Sequence, residues 1–209
     1  MKLKDFVKIQ GQPYSSMLGI NLESKRNEDI LRWFLASILY SKPIRERSAT
    51  RTYQRFDGHG ITTAQRIVTA GWDRLVSILD EGGYTRYDFS TADKLLAVFG
   101  NLEKLYDGDL NRLYEASANA AELEANLKKL GKGIGSTTVS IFLRDMTPIW
   151  SKAEPRPTPL VTMALRRLGI IDLRQYAKKH RIDAVRLETA LVRYSKNFLK
   201  KGKKMVIVP

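Results

Sequence analysis

Residues 127–146 read LKKLGKGIGSTTVSIFLRDM. An apolar-periodic helix runs into Leu130, and glycines at 131, 133 and 135 interrupt it. Glycine admits positive φ angles that other residues resist, so a tight turn is expected here. Ser136 opens a second helix, carrying Val139, Ile141, Phe142 and Leu143. Its first backbone N–H groups lack an intrahelical acceptor and can receive a phosphate oxygen. Lys132 adds charge, Ser136 and Thr137 add hydroxyl donors, and Gly133, Ile134 and Gly135 keep the turn small enough for close approach. A G-x-G alone is weak evidence and fits any helix-to-helix turn. L-x-x-L-G-x-G-I-G ahead of an amphipathic helix is a stronger pattern.

The rest of the chain is also helical in pattern. Asn27 is placed to cap a helix with Ile30, Leu31, Phe34, Leu35, Ile38 and Leu39 at helical spacing. A second helix is expected from Ile44 to Phe56, after Pro43. Thr62 or Thr63 caps a short one that Gly71 closes, and Trp72 to Leu79 forms the next. Gly82 and Gly83 break the chain, and Ser90 caps a helix through Leu95, Leu96, Val98 and Phe99. Further helices are expected at 110–118, 120–130, 160–168, 173–179 and 184–199, with a proline-rich connection from Pro148 to Pro159. No βαβ alternation or tandem repeat interrupts this order, so an all-α architecture follows.

Charge narrows the choice of partner. The chain has 209 residues, with 36 Lys and Arg against 22 Asp and Glu, a net charge of +14. Such an excess biases partners toward polyanions and says nothing about fold. Together with the hairpin it points to double-stranded DNA, held by phosphate contacts that give affinity without sequence readout. The absence of cysteine excludes disulfides, thiolate zinc sites and an iron–sulfur cluster. His59 and His180 are too few for a histidine-based metal site, and no cofactor is expected. No signal peptide or membrane-length apolar run is evident, so a monomeric intracellular protein, cytoplasmic or nucleoid-associated, is expected.

Residues from about 28 to 170 resemble the helix-hairpin-helix DNA glycosylase superfamily, which includes endonuclease III-like (HhH-GPD) proteins. EDILRWFLASILYSK resembles the family's first core helix, and GWDRLVSILDEGGYTRY its helix followed by a Gly-aromatic turn. LGKGIGSTTVSIFL resembles the hairpin, and LVTMALRRLGI the helix after the catalytic loop. The resemblance implies a two-lobed helical DNA glycosylase-like fold. One lobe is a helical barrel of residues 40–147 with the hairpin at 130–136. The other combines residues 1–39 and 148–209. It further implies base-excision repair chemistry on a base flipped from bent DNA, with a monovalent cation at the hairpin carbonyls as an accompaniment. Loops at Lys42–Arg45 and Tyr84–Tyr87 would then face DNA, with an inward-packed aromatic as the alternative for Tyr84 and Tyr87.

Two catalytic positions depart from the family. Lyase-active members carry Lys two residues after the last hairpin glycine, where this chain has Thr137. A Schiff-base mechanism at that position is therefore unavailable. The family's Asp precedes the helix ending in R-L-G. Counting back from Arg167, Leu168 and Gly169 puts Thr158 there. A hydroxyl cannot stabilise an oxocarbenium ion as a carboxylate does. Glu154 lies in the corresponding loop, flanked by Lys152 and Arg156, which are candidates for adjacent phosphates. Asp145 is the other upstream carboxylate and reads as a surface ion-pair residue. Two functions stay open: a glycosylase without lyase activity for damaged or mispaired bases, and a protein of the same fold that binds DNA without excising.

Overall fold

The structure is a computed structural model that describes residues 1–203 and 205–209. Its helices, in chain order, are α1 (Leu3–Gln10), α2 (Tyr14–Met17), α3 (Asn27–Tyr40), α4 (Glu46–Gly58), α5 (Ala64–Gly82) and α6 (Asp88–Tyr106). Then come α7 (Leu110–Ala116), α8 (Ala120–Lys129), α9 (Ser136–Met146), α10 (Pro159–Leu168), α11 (Leu173–His180) and α12 (Ala184–Asn197). Among the described residues there is no strand, only an isolated parallel bridge between Lys2 and Val208. The all-α expectation therefore holds.

The chain divides into two units, Leu18–Pro155 and Met1–Met17 with Arg156–Pro209. The larger unit is built around α3. Trp33, Phe34 and Leu35 are fully buried. Trp33 Nε1 donates to Phe142 O at 3.0 Å. Phe34 meets Phe142 edge-on at 5.0 Å and Phe99 at 5.9 Å. Residues 18–39, expected with the terminal segments, therefore belong with the hairpin, because the aromatic face of α3 is what α6 and α9 pack against. The second boundary falls after Pro155, not at 147.

Side-chain capping explains several helix starts, and the start residues correct two expectations. Thr63, Asp109 and Asn119 each accept a hydrogen bond from an N–H in the first turn of α5, α7 and α8. Asn27 does not cap α3; it is its first residue. Its Nδ2 donates to Gly108 O at 2.9 Å and its Oδ1 accepts from Leu110 N at 3.0 Å, tying the start of α3 to the start of α7. Ser90 lies inside α6, whose first residue is Asp88, and its hydroxyl donates back to Tyr87 O. Gly71, at φ 72°, kinks α5 where the sequence places a helix end.

In the smaller unit, α1, α10, α11 and α12 enclose a core of residues such as Phe6, Val161, Leu165, Leu187, Leu191 and Tyr194. Sequence periodicity did not single out α1 or α2. Arg193 explains how the N-terminal segment is held. Its guanidinium donates to the carbonyls of Gln10 and Gln12 and stands 4.6 Å from the Tyr14 ring centroid.

Packing between α4 and α5 permits no side chain at Gly82. A Cβ there would lie 2.5 Å from Thr52 Cα and 2.1 Å from its hydroxyl oxygen. Gly82→Ala is expected to lower the urea midpoint, since overpacking a filled core costs roughly 1–3 kcal/mol. Gly100→Ala, inside α6 with nothing within 4 Å of its Cβ, is expected to raise the midpoint by about 0.5–1 kcal/mol of stability. The same urea titration reads both signs.

Candidate nucleic-acid interface

Two buried side chains pin the turn between α8 and α9. Leu130 is fully buried and Ile134 is 4% exposed. Between and beyond them Lys132, Gly133, Gly135, Ser136 and Thr137 are exposed. Ile134 N closes the turn onto Gly131 O at 3.1 Å. The three glycines have different causes. Gly133 alone has positive φ, at 93°. At Gly131 a Cβ would press on Val98 Cγ2 at 2.7 Å, so close packing demands glycine. Gly135 has φ −93° and ψ 178°, extended backbone open to any residue, and nothing lies within 4 Å of a Cβ built there. No demand inside the chain explains a glycine at 135.

The N-terminal half of α6 supplies a cation to the hairpin. Lys94 Nζ donates to Gly133 O at 3.0 Å. The same lysine fills the space over Gly133, where a Cβ would lie 2.6 Å from Lys94 Cε. Lys42, in the turn after α3, stands beside it. Burial first, and then the like charge of Lys42, push the Lys94 ammonium down to about 8. Lys42 also sits 5.3 Å from the Tyr87 ring centroid, and Arg86 5.7 Å. The Lys42 loop and the hairpin, far apart in sequence, thus converge at Lys94, which the sequence reading missed. A lysine on an amphipathic helix carries no sequence signal of a distant carbonyl partner.

Lys94 also bears on the expected monovalent cation. Its ammonium already occupies Gly133 O, while Gly131 O accepts from Ile134 and Leu130 O accepts from Asn101 Nδ2 at 2.8 Å. A free cation would face a resident like charge there, so these carbonyls do not fit one. In the second loop, Tyr84 packs inward. It is 1% exposed and its hydroxyl donates to Leu39 O at 2.5 Å, while burial holds its ionisation well above the usual tyrosine range. Tyr87 remains half-exposed.

The remaining expected residues separate. Arg45 is exposed at the start of α4, and Arg156 is exposed at the start of the second segment of the smaller unit. The Lys152 ammonium is engaged. It donates to Tyr114 O and Ser117 O, both at 2.5 Å, and lies 4.0 Å from the Tyr114 ring centroid. It satisfies carbonyls at the C-terminus of α7 rather than presenting itself to a phosphate. Asp145 is not at the surface. It forms a pair with Arg144 at 2.8 Å, with 1% and 2% of the side chains exposed. Glu154 is exposed and makes no ion pair among the described residues. Thr158 immediately precedes α10 in the smaller unit, 6% exposed, with a buried hydroxyl that has no hydrogen-bond partner and does not cap the helix.

His59 bonds Glu81 and Arg74, and His180 stacks on Tyr176. Among the described residues no cluster of His, Cys, Asp or Glu could hold a metal ion, and no helix is long and apolar enough to cross a membrane. No family model, curated protein or solved structure matches the chain.

The Lys94 shift has a definite sign in stability. The folded pKa lies below the unfolded one, so the charged form is disfavoured in the folded state. That cost is fully present below about pH 8 and disappears as pH rises toward the ordinary lysine value near 10.5. Wild-type protein should therefore gain stability relative to Lys94→Met between pH 7.5 and about 10. Paired urea titrations across that range check it. A constant difference between the two proteins would contradict the assignment.

Proposed function

We propose that this protein binds duplex DNA through the hairpin at 130–136 and belongs, by the resemblance of its helices, with DNA glycosylase-like folds. Gly135 is the observation that carries the reading. It is an exposed glycine without positive φ or a neighbour within 4 Å, next to the first free N–H groups of an eleven-residue helix. A DNA backbone closing on those N–H groups would account for it. Exposed Lys132, with Lys94 and Lys42 behind it, supplies charge that no carboxylate neutralises through an ion pair among the described residues.

Gly135→Val should fold normally, since its backbone angles suit a β-branched residue. It should bind duplex at least about tenfold more weakly by blocking the phosphate. Lys132→Ala should flatten the log–log salt slope by about 0.9, one phosphate contact, whatever the sequence. A folded Gly135→Val protein with full affinity would remove the hairpin from the interface.

Excision of a damaged or mispaired base, without lyase activity, rests on Glu154. Asp145 is locked in its buried pair with Arg144, and Thr158 offers only a hydroxyl. An anion near C1′ lowers the barrier as positive charge builds on the deoxyribose. Glu154→Gln should cut alkali-revealed strand scission on lesion-bearing duplexes by about a hundredfold and leave binding intact. The buried Thr158 at the family's Asp position favours a second reading, a protein that binds DNA and excises nothing. Tight binding with no scission by the wild type would select it.

A further inference from the structure

Beyond the hairpin, α5 and α6 together present an aromatic surface that neither the fold nor phosphate binding requires. Phe89 is 58% exposed and Trp72 is 38% exposed, unusual for rings of this size in a chain with a filled core. Their centroids are 5.1 Å apart at an interplanar angle of 43°. The indole is fixed: Trp72 Nε1 donates to Asp93 Oδ1 at 2.9 Å, one turn of α6 beyond Phe89. The kink at Gly71 immediately precedes Trp72. A pre-oriented ring loses little conformational entropy when something stacks on it.

The residue after Asp93 is Lys94, whose ammonium reaches the hairpin at Gly133 O with Lys42 beside it. Two adjacent positions on one helix therefore serve an aromatic ridge and a cationic turn. Tyr87, under Lys42 and Arg86, stands two residues before Phe89. Fixed aromatic faces beside unneutralised cations match the surface that unpaired nucleotides favour, because bases stack on the rings while cations follow the phosphates. A protein partner with an apolar face would gain nothing from the cations, and a simple polyanion nothing from the rings.

We propose that Trp72 and Phe89 form a stacking platform for a nucleobase out of the duplex stack, with the flanking phosphates on Lys42 and Lys94. The proposal rests on the hairpin reading and extends it from backbone contacts to base contacts. A stacked base is recognised by its π-face, so the platform would prefer unpaired over paired DNA with little regard to base identity.

Intrinsic fluorescence tests it on the whole chain, because Trp33 and Trp150 are 0% and 3% exposed and Trp72 is the exposed indole. The protein would be titrated with a fully paired duplex, the same duplex carrying one bulged base, and heparin. The bulged duplex should quench Trp72 emission, and it should bind about tenfold more tightly than the paired one, the scale of one stacked base. Heparin should bind without quenching. Phe89→Ala should abolish the preference for the bulge and leave paired-duplex affinity unchanged, and Trp72→Phe should remove the quenching while keeping part of the preference. Equal affinity for bulged and paired duplex, or equal quenching by heparin, overturns the platform alone. Failure of every DNA to bind overturns the hairpin reading as well. Emission that changes with protein concentration in the absence of DNA would assign the patch to a second copy of the chain and overturn the proposal.

Discussion

The packing of α3 against α9 fixes everything at the hairpin. Trp33 spends its only donor on Phe142 O, a carbonyl inside α9. Phe34 closes edge-on against Phe142, and Trp150 meets Phe142 from beyond the helix end at 5.6 Å. Two rings and one indole hydrogen bond on a single phenylalanine leave α9 little freedom to rotate or slide, since cores packed to crystal density tolerate neither voids nor overlap. The consequence appears six residues earlier in the chain, where the first turn of α9, from Ser136, faces outward and cannot turn in. A donor array of this kind is useful only if its direction is set before the ligand arrives.

Against that fixed frame the hairpin carries two kinds of constraint. Leu130, Ile134, Gly131 and Gly133 answer to the interior: burial, the Val98 methyl and the Lys94 stem define them. Gly135 answers to nothing inside the molecule. Lys94 stands between the two. It spends desolvation to place an ammonium on the Gly133 carbonyl, and the nearby charge of Lys42 adds to the cost. The unfavourable electrostatics are therefore local to the hairpin, at the contact between Lys94 and Gly133.

Much of the fold was legible because helix signals are local. Periodicity located α3 through α12 to within a few residues, and Thr63 and Gly83 behave as punctuation should. What failed was the identity of partners. Asn27 has the chemistry of a cap and is used as one, but for α7, whose first residue lies 83 positions away. Lys152 looked free beside Glu154 and is consumed by two carbonyls of another segment. The short α1 left no long apolar stripe, and its hold on the smaller unit comes through Arg193. In each case the sequence specifies the donor, and only tertiary structure decides which acceptor it meets.

The same distinction governs the net charge of +14. An excess of cations is usually taken as a diffuse attraction for polyanions. Here the basic residues divide by what their heads touch. Arg144 is buried against Asp145, Arg193 holds the Gln10 and Gln12 carbonyls, and Lys152 ends α7; these three are structural and contribute only background field. Lys42, Lys94 and Lys132 instead gather around the hairpin, Lys94 with a bond to Gly133 O and none of the three in a carboxylate ion pair among the described residues, beside rings left partly bare. A field focused on a pre-oriented turn steers a charged ligand to one face, where a uniform shell of charge would only raise its concentration nearby. It is the placement of these few lysines, more than the size of the excess, that singles out one surface of the larger unit as the proposed interface for a polyanion.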